Sequence, residues 1–353
     1  MKAYIRTSAA ISPQASFDGG LFSGDLRTQD GEWLKALEPE YKEYINPGLS
    51  RRMSRIVKMG VAAATRCLKD AGVDIPDAII TGTGLGCMED TGNFLTSIIN
   101  NQEQFLTPTA FIQSTHNTIA GQIALMLKCN NYNFAYVHRG FSFESALLDA
   151  MMMINQKECR QILIGGIDEI TSDYWNVTRR MGMWKNSIPA PDSLFGSKSR
   201  GTVAGEGASF FLLQGEAGDA MAEVSGVDMI FRPSGPEVID ERIRTFLESQ
   251  GISAEELDLV ITGMNGWPLH DRWYRESEKG VLKDLPLAGF KHWSGEYMTA
   301  SSFALWLAAN VISQEKVPEG MMIHGQSPGK PKRILICNHF MGINHTLMLV
   351  QAC

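Results

Sequence analysis

A helix, a glycine stop and a buried strand occur twice in this sequence, half a chain apart. Arg51 to Gly72 carries Met53, Ile56, Val57, Gly60, Val61, Ala64 and Leu68 at helical spacing and ends on Gly72. The apolar run Ala78-Ile79-Ile80-Thr81-Gly82 follows as a strand leading into Gly84-Leu85-Gly86. The same order returns as a helix from Glu237 to Gln250, Gly251 as its stop, and the strand Leu259-Val260-Ile261-Thr262-Gly263 before Asn265-Gly266. The two Ile-Thr-Gly triplets lie 181 residues apart in a chain of 353. A spacing that long excludes a short-period solenoid and predicts two similar α/β halves packed together. Helix-glycine-strand order is common among α/β proteins, so the pattern alone leaves a single undivided α/β body open.

Other segments fit the same alternation. Asn117 to Leu127, Glu144 to Ile154 and the small-residue-rich Tyr297 to Ile312 read as helices, and Arg160 to Ile164 and Ala208 to Leu213 as strands. Arg333 to Ile336 and Thr346 to Val350 read as two strands joined by a turn around Gly342. Ser187 to Thr202, rich in Pro, Ser, Gly and charge, predicts a long loop between the halves or beside a site. Gly82-Thr83-Gly84-Leu85-Gly86 matches neither the dinucleotide fingerprint nor the GK[ST] of a phosphate loop, so close packing is the expected reason for its glycines. Gly165-Gly166 predicts a tight turn at the carboxyl edge of a sheet, where a ligand could also sit.

Charge and composition remove several function classes. Lys and Arg number 32 against 39 Asp and Glu, a net charge of −7, so no basic field is available for a phosphate backbone and nucleic acid is not an expected partner. The amino terminus lacks a signal-like apolar stretch and no run is long enough to span a bilayer, so a soluble cytoplasmic protein is expected. The six cysteines, at 67, 87, 129, 159, 337 and 353, show no paired spacing, and the seven histidines show no HExxH and no cluster with carboxylates. Reduced thiols and no metal site are the expectation.

Four segments together resemble the β-ketoacyl synthases, the decarboxylating condensing enzymes of fatty-acid and polyketide synthesis. Arg200-Gly201-Thr202-Val203-Ala204-Gly205-Glu206-Gly207-Ala208 is a fairly specific match. Arg51-Arg52-Met53-Ser54-Arg55, Asn117-Thr118-Ile119-Ala120-Gly121 and the terminal Asn338 to Leu347 look like family segments in the family order, so the resemblance covers nearly the whole chain. It implies a thiolase-like α/β fold, two similar halves in a layered αβαβα body, with residues 1–215 as the N-terminal and 216–353 as the C-terminal ketosynthase-like half.

The resemblance also implies a Cys nucleophile on a strained strand-to-helix turn and two histidines that act on the malonyl thioester. At all three positions this sequence differs. Family spacing from Asn117 places the nucleophile at Gly140, in Arg139-Gly140-Phe141-Ser142-Phe143-Glu144-Ser145-Ala146, and Cys129 and Cys159 fall before the strand and after the helix. Asn265 stands for the first histidine; it can donate a hydrogen bond but cannot shuttle a proton. Glu296 closes Lys291-His292-Trp293-Ser294-Gly295-Glu296 in place of the second, and a carboxylate there opposes carbanion formation. Lys291 matches the family lysine, Phe340 the phenylalanine that gates the acyl pocket, and Glu206 with Lys291 reads as a retained buried ion pair.

This pattern resembles a chain-length factor, the silent partner of an active β-ketoacyl synthase, paired as a heterodimer and shaping the tunnel in which the chain grows. The resemblance then implies that Phe141 and Phe143 set tunnel depth, that Met151-Met152-Met153 lines the tunnel or the interface, and that phosphopantetheine arrives on an acyl carrier protein, with no cofactor bound by this chain. A bacterial type II fatty-acid or polyketide system is expected, with an aryl polyene pathway favoured. Two alternatives stand: a self-sufficient acyltransferase using Ser142 or Ser145 with His270 or His292 as base, and a module that only docks an acyl carrier protein.

Overall fold

The computed structural model covers residues 1–353 and places both sequence repeats inside one repeated five-strand pattern. The strands are β1 (Ala3–Ile11), β2 (Ala78–Gly82), β3 (Tyr132–Tyr136), β4 (Gln161–Asp168), β5 (Gly207–Gln214), β6 (Ala222–Phe231), β7 (Leu259–Thr262), β8 (Leu287–Gly289), β9 (Met322–His324), β10 (Arg333–Phe340) and β11 (Asn344–Gln351). They hydrogen-bond in the order β3-β2-β4-β5-β1-β6-β11-β10-β7-β8-β9. Read outward from the centre, β1-β5-β4-β2-β3 and β6-β11-β10-β7-β8 have the same succession: two antiparallel pairings, then parallel ones. The halves meet where β1 pairs antiparallel with β6, from Ala3 opposite Val224 to Ile5 opposite Ala222. The short β9 caps the β8 edge, while β3 ends the other side unpaired.

The helices are α1 (Pro47–Ser50), α2 (Arg55–Ala71), α3 (Met88–Asn100), α4 (Pro108–Gln113), α5 (Thr118–Leu127), α6 (Ser142–Asn155), α7 (Ser172–Arg180), α8 (Pro236–Ser249), α9 (Pro268–Ser277), α10 (Lys291–Ser294) and α11 (Ala300–Ser313). Strand alternation decides the layering, because successive side chains point to opposite faces. Ile80, Ile162, Ile164 and Phe211 of one half and Ile261, Ile334, Ile336 and Met348 of the other share a core with α6 and α11. Their neighbours Ile79, Leu163 and Phe210 instead pack under α2 and α5, and Val260, Leu335 and Leu349 under α8 and α9. Both faces of each half-sheet are therefore buried, and α6 and α11 form the middle layer of an αβαβα stack. Removing one of these rings, as in Phe211→Ala, costs about 3–5 kcal/mol by lost burial and cavity.

Local chemistry moves several boundaries. Helix α11 is apolar or small on all sides because it is buried all round. It begins at Ala300 rather than Tyr297, since the backbone N and Oγ1 of Thr299 both donate to Asp168 Oδ2, each at 2.8 Å, and hold that residue outside the helix. Helix α2 starts at Arg55, with Ser54 at the cap, and stops as expected at Gly72, which takes φ 65°. The loop around 187–202 is tied down by Lys185, whose Nζ donates to Ser197 Oγ, Ser199 Oγ and Gly266 O at 2.9 Å.

Gly165 and Gly166 are not a turn but lie within β4. A Cβ on Gly165 would run into the Phe210 ring, and one on Gly166 would meet Ser302 at 2.7 Å and Phe143 at 3.0 Å, so glycine is required by ring packing. Gly82 does serve close approach: a Cβ there would sit 2.5 Å from the Ser142 carbonyl at the start of α6.

Candidate functional site

The strand-to-helix elbow lies between β3 and α6. Arg139 takes φ 52°, the left-handed conformation a tight turn demands, and Gly140 follows it, buried. A Cβ built on Gly140 would stand 2.5 Å from Phe340 Cβ and 3.0 Å from Asn344 Cβ, so the space a side chain at residue 140 would need is filled by the β10–β11 turn. Ser142 is buried, accepts from the His138 backbone N and donates to Arg139 O, both at 2.8 Å. Its hydroxyl thus holds the elbow, and no hydrogen bond joins it to His270 or His292. Ser145 is half-buried on α6. Cys129 and Cys159 flank β3 and α6 at a distance in sequence, away from the turn.

Facing the elbow from the C-terminal half, the other two positions form one closed network. Lys291 Nζ, on α10, donates to Glu296 Oε1 and Oε2 at 2.9 and 2.8 Å and to His339 O at 2.6 Å. Asn265 Nδ2 donates to Glu296 Oε2 at 2.7 Å. The Asn265 loop is held by Asp271, which accepts from the backbone N of Asn265 and of Gly266 at 2.8 and 3.0 Å. Lys291, Glu296 and Asn265 are all sealed from solvent. Burial lowers the Lys291 ammonium and raises the Glu296 carboxyl, and each opposes the shift of the other. Burial also raises Asp271 to about 6. Both carboxylate oxygens of Glu296 accept hydrogen bonds, and Asn265 is a neutral amide that does not titrate. The arrangement pairs the buried Lys291 charge with Glu296.

Glu206 does not pair with Lys291. It accepts two hydrogen bonds from Arg55, at 2.8 Å from Nη1 and 2.6 Å from Nη2, and one each from the backbone N of Ala36 and Ile170 at 3.1 and 3.0 Å. The reason is local: Glu296 stands five residues beyond Lys291, just past the single turn of α10, whereas Arg55 at the start of α2 presents its planar fork to Glu206. Phe143 is fully buried in the middle-layer core against Phe211, ring centroids 5.8 Å apart, and Phe141 lies edge-on to His138 at 5.7 Å. Phe340 is buried over Gly140. Of the methionine run, Met151 is core, Met153 packs against that core, and Met152 is exposed.

Residues 27–189 match the family model for the beta-ketoacyl synthase N-terminal domain. Among solved structures, the ishigamide ketosynthase/chain length factor superposes with TM-score 0.81 at 18% identity, covering 100% of this chain and 99% of that one. A beta-ketoacyl synthase from Burkholderia phymatum gives 0.80 at 16%, covering 100% and 99%. A ketosynthase in complex with its chain length factor from Xenorhabdus doucetiae gives 0.79 at 17%, covering 99% and 98%. The fold is that of the β-ketoacyl synthases. No curated protein matches the sequence. No helix of this ketosynthase fold is long and apolar enough to cross a membrane, and no three His, Cys, Asp or Glu side chains are placed to hold a metal ion.

Within the ketosynthase fold, the histidines are less dispersed than their sequence positions indicate. His292 is not beside the elbow hydroxyl; its Nε2 lies 3.1 Å from Gly320 O, its ring packs on Phe195 and Trp293, and burial lowers it to about 3. His270 joins His339 and His345 in a buried group, with ring centroids 5.5 and 5.4 Å apart along the row. The clue was available: residues 339 and 345 are equidistant from Gly342, the predicted turn, so a hairpin must place them opposite each other, as it does. Glu144 was also missed. It is fully buried on α6, Thr346 Oγ1 donates to its Oε1 at 3.0 Å, its Oε2 has no partner, and burial raises it to about 7.

Proposed function

We propose that this chain is a chain-length-factor-like subunit, a catalytically silent partner of an active β-ketoacyl synthase in a bacterial type II fatty-acid or polyketide system, with aryl polyene synthesis the favoured pathway. The observation that carries the reading is the filled elbow. Gly140 offers no nucleophile, and Phe340 stands where one would project. Asn265 and Glu296, at the two histidine positions, are consumed in bracing Lys291. A protein with this fold and this centre acts through its surface and through the tunnel it helps to shape.

The unpaired β3 edge supports the partnership. Phe134 on β3, Leu125 on α5, Phe111 and Ile112 on α4, Ile99 on α3 and Phe105 between α3 and α4 are exposed, Phe105 by 92% and Ile99 by 75%. A long apolar face beside an open sheet edge is a liability unless another chain covers it. Two of the similar structures are, by their descriptions, ketosynthases together with chain length factors. On this reading the partner supplies the Cys nucleophile, Met152 and the β3 edge belong to the interface, phosphopantetheine arrives on an acyl carrier protein, and the complex is cytoplasmic.

The test is affinity capture from the native source at natural expression level, with stoichiometry read by mass spectrometry. Recovery of a Cys-containing ketosynthase at 1:1, with or without a carrier protein, supports the reading. Recovery of the chain only as its own homodimer overturns it.

A further inference from the structure

The elbow and the Lys291 brace leave one buried group unused: three imidazoles packed together with no anion among them. His339 and His345 are cross-strand neighbours on β10 and β11, on either side of the turn in which Met341 and Gly342 take φ 53° and 65°. Helix α9 lies over that turn. His270 stands edge-on to His339, Tyr274 stacks on His339 at 5.2 Å, and Trp273 meets His345 at 4.9 Å. All three histidines are more than nine-tenths buried, yet His270 Nδ1, His339 Nε2 and His345 Nε2 have no hydrogen-bond partner.

We propose that His270, His339 and His345 form a proton-sensitive latch that holds the β10–β11 turn against α9, and that protonating the latch releases Phe340 from the Gly140 elbow. The charges facing the cluster make protonation unfavourable in the closed form. From α10, Lys291 donates to the His339 carbonyl, and its positive charge bears on all three rings. On α9, Arg272 adds to that field at His270, Arg275 is committed to Phe195 O, and Asp271 is tied to the amides of its own loop. Glu296 is paired with Lys291, and Glu144 from α6 is bound by Thr346. On β6, beside β11, Asp228 is paired with Arg242. Within the cluster's own elements, Tyr274 and Cys337 are held neutral by burial.

Closed, the imidazoles are therefore neutral, with His270 and His345 lowered to about 4 and His339 held well below its ordinary value by burial. Opened to water, each returns to about 6.5 and binds a proton below that pH. Acidification from pH 7 to 5.5 thus favours opening by roughly tenfold per histidine. Because Phe340 and Asn344 border the turn and cover Gly140, opening it uncovers the elbow at the centre of the fold.

Hydrogen exchange read by mass spectrometry on the full chain tests this, after correction for the intrinsic pH dependence of exchange. Peptides covering 338–346 and 264–277 are expected to exchange at least tenfold faster at pH 5.5 than at pH 7, with the α2 peptide unchanged, and His270→Gln/His339→Asn/His345→Gln, which removes all three imidazoles, is expected to abolish the difference. Equal corrected rates at both pH values, or an acceleration that spreads to α2 or persists in the variant, would overturn the proposal. Should the triple variant not fold, imidazole proton titration of the unmodified chain decides: three histidines that stay neutral down to the pH at which the turn opens support the latch, and free titration near 6.5 with the turn closed refutes it.

Discussion

Replacing Glu296 by Gln is the sharpest probe of the centre. The substitution keeps an acceptor for Asn265 and nearly the same volume, but leaves the Lys291 ammonium buried without its counter-charge. Lysine can escape by losing its proton, and neutralising a group of ordinary pKa about 10.4 at pH 7 costs about 4.6 kcal/mol at 1.36 per pH unit, which caps the loss. Breaking a buried pair from one side costs about 3–5 kcal/mol, whereas replacing both members with neutral side chains of similar size is often neutral. Glu296→Gln is therefore expected to lose about 3–5 kcal/mol, and Lys291→Met/Glu296→Gln to return to within about 1.5 kcal/mol of the parent. The sign of the pH response is also set. In the single variant the unfolded lysine is protonated and the folded one is not, so its stability rises with pH between 7 and 10 by up to about 1.4 kcal/mol per unit. Urea unfolding followed by tryptophan fluorescence, with Trp293 two residues from Lys291, measures all three proteins. If the single variant loses under 1 kcal/mol and the double is simply additive, the pair is no brace and the reasoning fails.

Three further outcomes are expected. Gly140→Cys loses about 1–3 kcal/mol of stability through the clash with Phe340 and forms no acyl thioester when offered acyl carrier substrate, read by intact-mass spectrometry; an acyl adduct at residue 140 would contradict the filled elbow. Glu144 has its carboxyl raised to about 7, so the folded chain holds that proton longer than the unfolded one and loses stability as pH climbs from 4.5 towards 7. Glu144→Gln should then stabilise by up to about 3 kcal/mol at pH 8 and by much less at pH 5, and a gain independent of pH would be the wrong result. Phe105→Asp and Phe111→Asp, both on exposed rings, should leave the melting temperature within a degree or two and abolish recovery of a partner chain; undiminished recovery would move the interface elsewhere.

Much of the fold was legible because buried strands and amphipathic helices leave periodic traces. The strands around Ile80, Ile164, Phe211 and Ile261 and the Gly72 stop could be located from spacing alone. What the traces lacked was the partner of each buried charge. Lys291 has carboxylates near it in sequence and in the family-like run, and only the single turn of α10 assigns it to Glu296 and leaves Glu206 to Arg55. Gly165-Gly166 read as a turn because glycine pairs mark turns in sequence, yet here they make room for rings from β5 and α6, elements distant in the chain.

The amino-acid sequence by itself determined which groups stand at the three candidate positions, since the lack of a side chain at Gly140, the amide of Asn265 and the carboxylate of Glu296 are covalent facts that no folding can reverse. It also determined the alternation of strands and helices, through a hydrophobic period that any compact fold must honour, while the doubling of that plan was decided by the sheet order. Only the tertiary structure decided that the space beside Gly140 is filled by Phe340, that Glu296 is paired with Lys291, and that three scattered histidines share one dry contact under α9. Those outcomes depend on distances between residues far apart in sequence, and burial turns such distances into energies: a charge or an imidazole sealed from water takes its properties from the few atoms that surround it.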